Sequence, residues 1–445
     1  MRARFRLPIH PSPGEGGRTV VIPQGRTSQT RPVLAARFLS QFQCIAGDCE
    51  DLCCRDWLIA YDRPSHDKLR DALETEDAPT SMDSRFFYGD GSQPGAAYAY
   101  IKPKSDGWCG FLADDGLCEI HAHHGESMLS DSCSIFPRAS ISVGRRLEVG
   151  ASLSCPEVAR KLLLTESGGD LVPASADLLP RRWVGKQIDT SGADVYASAF
   201  DLVRDAAVSL TSARAFPIPV RLAALAQVAS RTGSYYRPGI TALDEDRLQR
   251  DWEAASTQSA LRRVSRELDT LHVPTDGGLP FITDMLRQRT RLAHSDRYAA
   301  LLKKVFASME GESTAIAAEY DRRRALVEAR FGARSEMLFR NYMLQHWRRY
   351  PYTSSASVLE HVCRLALRMA AIRFLFVGHP EIERLLASGD GDSRQALDVV
   401  DRVAVEVVQV FVKTFEHAEA IMKTVEAPLF RANPLSRAVV LAKLY

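Results

Sequence analysis

Eight of the chain's nine cysteines fall between Cys44 and Cys155, and only Cys363 lies outside that interval. The first four are packed into FQCIAGDCEDLCCRDW as Cys44, Cys49, Cys53 and Cys54. The others are Cys109 in CGFL, Cys118 in LCEI, Cys133 in CSIFPR and Cys155 in SCP. Three explanations compete. Disulfides suit short secreted chains that cannot build a core. This chain has 445 residues, and its basic N-terminus, MRARFRLPIHPSPGEGG, lacks the apolar centre of a secretory signal. Inert buried thiols are small hydrophobes, but several of these stand beside polar turn residues such as Asp48, Glu50 and Gly110. The third explanation, metal binding, fits best. Thiolates are soft ligands that select iron–sulfur clusters or zinc. Eight could fill two four-ligand sites, or one cluster with the rest structural. Zinc is usually held by regular C-x2-C pairs; the irregular spacing here turns the reading towards iron–sulfur, with zinc as the alternative. Cys363, on an apolar helical stretch, needs no special role.

Two further patterns bear on the metal. Cys49-x3-Cys53 begins like the radical S-adenosylmethionine motif, but the third cysteine would fall on Asp56, so the motif fails. His121, His123 and His124 follow Cys118 and could add nitrogen ligands; the plainer reading is a polar loop leading into a helix.

With 57 basic and 55 acidic side chains, no global field drives the chain onto nucleic acid or a membrane. No apolar run approaches bilayer length, and the expectation is a cytoplasmic protein. Its organisation reads as a disordered basic arm (1–37), a cysteine-rich metal-binding module (38–165), a linker (166–190) marked by Gly168-Gly169, Pro173 and Pro180, and a helical domain (191–445). In the module, Trp57 to Tyr61 reads as a strand, Pro64 to Leu73 as a helix, and Cys109–His121 and Ser142–Leu153 as hairpins turning at Asp114-Asp115-Gly116 and Gly144. Cys155-Pro156 opens a helix. Beyond the linker, apolar residues recur at helical spacing, as in Val358, Val362, Leu365, Met369 and Ile372; the valine-rich run Val400 to Val412 fits a helix or a strand. The fold class expected is mainly α, with a small α+β cysteine-rich module and a helical C-terminal domain.

The order F-x-C-x4-C-x3-C-C-x2-W, C-x-F-L, L-C-x-I, C-x3-P-R and S-C-P resembles the flagellin lysine N-methylases, within a broader cysteine-rich group of zinc- or iron-chelating proteins. Leu338 to Tyr342 (LFRNY), Pro351-Tyr352 and Glu416-His417 (in FEHAEAIM) resemble that family's C-terminal region. The resemblance spans roughly residues 38 to 425. It implies methylation of flagellin lysines, S-adenosylmethionine as methyl donor, and an iron–sulfur cluster, [4Fe-4S], on the eight cysteines.

Such chemistry makes demands of its own. Lysine is an ammonium ion at neutral pH, with a reference pKa near about 10.4, and only the neutral amine attacks a methyl group. A base or a desolvating pocket is needed. Candidate bases are Tyr342, Glu360, His361, Glu416 and His417, with Tyr342 first because it lies in the LFRNY segment; Tyr235-Tyr236 are a further pair. Asp48, Glu50 and Asp51 could attract a lysine-bearing loop. No glycine-rich loop of a Rossmann-type donor site is present. Two other classes stay open: a non-enzymatic iron–sulfur or zinc carrier or sensor, and an interaction module that the metal only staples.

Overall fold

The computed structural model describes residues 31–445 apart from 56–57, 75–81, 90–96, 180–184, 193, 237–238, 274–277, 293–294, 310, 312, 390–392, 417–425, 428–429 and 431–432. Trp57, His417 and most of the N-terminal arm lie outside the described residues.

The fold is mostly helical, built around two hydrophobic cores of unequal size. The smaller belongs to the cysteine-rich segment. Here β2 (Ala60–Tyr61), β3 (Phe86–Tyr88) and β4 (Ala99–Ile101) form a sheet in the order β2-β4-β3, with β1 (Val33–Ala36) belonging elsewhere. Helix α1 (Arg63–Glu74) and the short α2 (Met82–Arg85), α3 (Glu119–His124) and α4 (Asp131–Ile135) complete the unit. Its core includes Tyr61, Leu69, Phe86, Ile101, Phe111 and Ile120, and Cys109, Cys118 and Cys133 pack against it. The hairpin expected at Cys109–His121 is reduced to a Leu112–Cys118 bridge around Gly116, whose φ of +80° suits glycine. The chain then enters α3.

The larger core joins a five-stranded sheet, β7-β1-β6-β5-β8, to the helices. The expected hairpin is β5 (Arg138–Val143) and β6 (Arg146–Ala151), turning through Gly144 at φ +52°. β1 runs parallel to β6 and antiparallel to β7 (Leu171–Pro173); β8 (Lys186–Ile188) runs parallel to β5. The domain boundaries expected from composition therefore shift. The end of the supposed arm is a strand, and the supposed linker supplies both sheet edges. Gly and Pro punctuate that segment, but Leu171–Pro173 and Lys186–Ile188 within it pair with β1 and β5.

Helix α5 (Pro156–Leu164) opens with proline at its first position, as expected. Next come α6 (Val195–Ser198), α7 (Phe200–Thr211), α8 (Ile218–Thr232), α9 (Glu245–Ala255), α10 (Gln258–Thr270), α11 (Gly278–Leu292) and α12 (Asp296–Ser308). The long α13 (Ser313–Arg349) breaks stride at Phe331 (φ −126°, ψ 17°). Then α14 (Val358–Val377), α15 (Pro380–Ser388), α16 (Arg394–Phe415) and α17 (Pro434–Leu444) follow. Helix α14 is buried along nearly its whole length, its apolar residues spread round the helix rather than along one stripe, with His361, Arg368 and Arg373 buried among them. It packs on α8, α13 and α17. The valine-rich run is helix α16; its apolar face against α5 and α14 overrides the β preference of valine.

The sheet is bound to the helices by charge as well. Glu148 on β6, 3% exposed, accepts from Arg204 on α7 at 2.6 and 3.0 Å and from Arg146 at 2.7 Å. Three amide side chains then grip the segment from Ala151 to Thr165. Asn341 donates to the carbonyls of Leu162, Leu163 and Thr165 at 3.2, 3.0 and 2.9 Å, which closes the C-terminal end of α5. Gln345 donates to Ala151 and Gln409 to Ser154, each at 2.8 Å. Cys155 is thereby fixed from α13 and α16.

Candidate functional site

The cysteines gather at the seam between the two cores. Cys109, Cys118 and Cys133 line the small core, and Cys155 packs on the large one. The loop carrying Cys49, Cys53 and Cys54 lies between them. Asp51 accepts from Lys413 and from Gln409 of α16, both at 2.7 Å; Glu50 pairs with Arg160 of α5 at 2.7 Å. The backbone of Cys54 accepts from that of Cys109 at 2.8 Å. Glu50 and Asp51, read above as attractants for a substrate lysine, are thus engaged in docking the loop onto the helices.

All nine cysteines are free thiols. Cys44 and Cys53 are exposed, Cys363 is buried, and the other six are half-buried. Desolvation pushes Cys49, Cys109 and Cys118 up, and takes Cys133 and Cys155 to about 12. Their own mutual charge adds to this: Cys133 interacts with Cys109, Cys118 and Cys53, and Cys155 with Cys49 and Cys53. Within the vicinal pair, the Cys54 thiol bonds to Cys53, so Cys53 falls to about 7 while Cys54 is pushed up. Lys413 helps Cys53. Meanwhile the backbone N–H of Asp51 serves Cys49, that of Phe111 serves Cys109, those of Ile120 and His121 serve Cys118, and those of Glu157 and Val158 serve Cys155. Cys118 and Cys155 stand immediately before α3 and α5, where the first N–H groups have no helical partner.

Such surroundings suit thiolates bound to a cation: donors are offered to sulfur, and mutual repulsion is left for a positive charge to relieve. Among the described residues, however, no three His, Cys, Asp or Glu side chains stand in ligand geometry for one metal ion. His121, His123 and His124 form the body of α3.

A second polar centre adjoins this seam, across the segment Ala151–Cys155. It is a small pocket, with about 190 Å³ of space between atoms of which part is open to solvent, lined by Ala151, Leu153, Tyr342, His346, Tyr350 and Glu416 among others. Glu416 follows α16, three residues beyond Lys413. Its carboxylate accepts from the Tyr342 hydroxyl at 3.0 Å and from the Tyr350 hydroxyl, with Arg368 3.8 Å away. Burial, then the charge of Glu416, pushes the Tyr342 phenol well above its ordinary value, and Tyr350 upward as well. His346 is buried and meets Arg368 through Nδ1 at 3.2 Å. A guanidinium only donates, so Nδ1 accepts and the proton resides on Nε2. That Nε2 has no hydrogen-bond partner among the described residues. Burial, then His361 and Arg368, holds the His346 ring neutral, well below the usual histidine value.

Other sequence candidates lie apart from this pocket or only behind it. His361 stacks on His346 with ring centroids 4.6 Å apart, and burial takes it to about 3. Glu360 pairs with Arg364 at 2.5 Å. Tyr235 donates to Asp251 at 2.7 Å, and Tyr236 packs on Tyr196. Sequence reasoning missed His346, Tyr350, Gln345 and Arg368. Tyr342, His346 and Arg349 recur at helical spacing, but so does any core face, and Glu416 comes from another helix.

The family model for the FliB lysine N-methylase C-terminal domain matches residues 204–441. The chain belongs to that family. The matched region supplies Tyr342, His346, Tyr350, Arg368 and Glu416, and ends short of the eight clustered cysteines, all of which precede it. Curated relatives agree in kind. The chain is 30% identical over 127 residues to the lysine-N-methylase of Salmonella typhimurium (strain LT2), covering 28% of this chain and 31% of that protein. The lysine-N-methylase of Salmonella choleraesuis matches to the same extent. The flagellar biosynthetic protein FliU of Salmonella muenchen is 29% identical over 127 residues, which is 73% of its length. The chain thus spans about a third of the two lysine-N-methylases it matches. No solved structure matches. Among the described residues no helix is long and apolar enough to cross a membrane.

Proposed function

We propose that the chain is a protein-lysine N-methyltransferase acting on flagellin, with S-adenosylmethionine as donor and a [4Fe-4S] cluster, or alternatively zinc, on its clustered cysteines. What carries the reading is the family match over the half that builds the pocket, where a carboxylate is held between two tyrosine hydroxyls. An aromatic pocket ending in a carboxylate suits an ammonium group.

In this reading the substrate lysine enters with its nitrogen at Glu416. The amine proton passes to the carboxylate, and the freed lone pair attacks the methyl carbon. The N–C bond forms as the S–C bond breaks, and the sulfonium leaves as a neutral thioether. Tyr342 and Tyr350 fix the carboxylate through their donated hydrogen bonds. Tyr342 is then a positioning residue, since its phenol, pushed well above its ordinary value, keeps its own proton. The neutral His346 offers a donor and adds no further cation to those of Arg368 and Arg349.

The metal would be held from two sides of the seam: Cys54, Cys109, Cys118 and Cys133 on the small core, and Cys49, Cys53 and Cys155, with Cys44 nearby in sequence, on the other. When bound, it would supply the positive charge that keeps these thiols deprotonated.

The test is mass spectrometry of flagellin incubated with S-adenosylmethionine and anaerobically purified, metal-replete protein. Methyl-sized increments at lysines are expected. Glu416→Gln should slow the reaction by about 100-fold or more, the usual scale for a positioned base, and Tyr342→Phe less. Unmodified flagellin, as monomer and as filament, would overturn the activity; iron retained without any donor binding would favour a carrier or stapled module.

A further inference from the structure

Each charged side chain of the loop from Cys49 to Arg55 is engaged by a helix of the large core. Glu50 pairs with Arg160 of α5 at 2.7 Å, and its carbonyl accepts from Arg297 of α12 at 2.6 Å. Arg55 pairs with Asp296 of α12 at 3.1 Å. Asp51 uses both carboxylate oxygens on α16, one for Lys413 and one for Gln409, each at 2.7 Å. The pairs at Glu50 and Arg55 are exposed enough for solvent to screen them. The pair at Asp51 is not: its carboxylate is 13% exposed and the Lys413 ammonium 22%.

Gln409, Lys413 and Glu416 stand at i, i+4 and i+7, a single stripe of α16 and its cap. That stripe meets the cysteine loop at two positions and ends on the carboxylate of the pocket. A second route runs through α12. Tyr298, next to Arg297, packs edge-on against Phe415 with ring centroids 5.7 Å apart, and Phe415 immediately precedes Glu416. Arg289 of α11 closes the Thr414 carbonyl at 3.0 and 2.6 Å, which keeps the last turn of α16 helical. What the loop adds is the lateral place of that turn.

We infer that Asp51 is a positioning residue for Glu416: through Lys413 and Gln409, the cysteine loop sets where the carboxylate stands in its pocket. This rests on the reading of Glu416 as the base. It gives the seam a part in the reaction by position alone. A carboxylate that takes a proton while the amine attacks in line tolerates little displacement, and a shift of about 1 Å can cost about 100-fold.

The test has two arms. The first is steady-state methylation of flagellin by the full chain, with iron and sulfide counted and rates referred to metal-loaded molecules. Asp51→Asn and Lys413→Met should each lower kcat about 10-fold, inside that range, with KM for flagellin unchanged. The double variant should be no slower than either single one, because both remove the same tether. Glu50→Gln is the control. It removes a pair of the same loop, but onto α5, which does not carry Glu416, so kcat should stay. Wild-type kcat in both single variants, additive losses in the double, or an equal fall in Glu50→Gln would overturn the assignment. The second arm is a crystal structure of Lys413→Met, whose substitution lies outside the cysteine loop. The Tyr342–Glu416 hydrogen bond, 3.0 Å in the wild type, should be lengthened or lost; an unchanged bond would overturn the assignment. A wild type that transfers no methyl group would overturn the reading of Glu416 as the base, and the crystal structure would still decide whether Asp51 places it.

Discussion

The seam and the Glu416 pocket balance their charges in opposite ways. In the pocket the carboxylate is answered within the chain: Glu416 has two tyrosine hydroxyls and Arg368, and His346 is neutral. At the seam seven cysteines interact with one another, and Lys413 near Cys53 and Lys104 near Cys109 are cations that favour thiolates there. The apolar support differs too. The pocket sits in the large core, while Cys109, Cys118 and Cys133 rest on a core of nine buried apolar side chains among the described residues. A core that small rarely holds a structure without a staple. One centre answers its carboxylate from within, and the other crowds its thiols together.

The largest expected effect follows directly. Stripping the proposed metal with a chelator, or replacing Cys109 or Cys118 by serine, should release the segment from about Ile59 to Cys133. Structural metals can contribute on the order of 10 kcal/mol to folding, so amide exchange there should approach unfolded rates. Exchange in α13, α14 and α16 should hardly change. Equal protection of both regions with and without metal would erase the distinction between the two centres.

The large core has its own weak point, which is acid. His346 and His361 are held neutral by burial and by Arg368 and Arg364, with Lys186 also acting on His361. Their folded pKa values lie below the unfolded value near about 6.5. Below that pH the unfolded chain takes up protons that the folded one refuses, so this stability is complete above it and drains away as pH falls. Between pH 6.5 and pH 5 the pair should lose about 3 kcal/mol, half of it from each ring. Denaturant titrations at the two pH values should show that loss in wild type and a much flatter response in the His346→Gln/His361→Gln double variant. Identical slopes would mean that the rings titrate freely.

What the sequence disclosed and what it hid divide along physical lines. Helices α5 and α14 and the β5–β6 hairpin were legible because caps, periodicity and a turn glycine are local signals. The strands β1, β7 and β8 were not. Each is three or four residues long, and two lie in a segment punctuated like a linker, so only pairing with distant strands makes them strands. The same holds at the candidate site. Cysteine clustering is visible in one dimension, as was Tyr342 through its motif. The partnership of Tyr342 and Tyr350 with Glu416 joins residues 74 and 66 positions apart. The amide grip of Asn341, Gln345 and Gln409 on the Cys155 segment spans still more.

The smallest effect separates a cysteine of the seam from one of the large core. Cys363 is wholly buried on α14, its thiol donating to the Pro434 carbonyl at 3.3 Å, and burial takes it to about 12. It is therefore a neutral thiol with its partner in place. Serine keeps the donor: its hydroxyl can reach Pro434 or bond back within its own helix. What is lost is the larger, more apolar sulfur in a packed site, about 1 kcal/mol on the scale of a small core deletion. Cys363→Ser should thus lower stability slightly and leave metal content unchanged. Cys155→Ser is the control. Cys155 is also half-buried against the large core, but its sulfur receives two backbone N–H groups and interacts with Cys49 and Cys53. That variant should lose metal. Metal analysis and thermal melting of the two proteins side by side decide the matter: if Cys155→Ser kept its metal and melted like Cys363→Ser, Cys155 would be a packing residue of the large core and the seam would be bound from the small core alone.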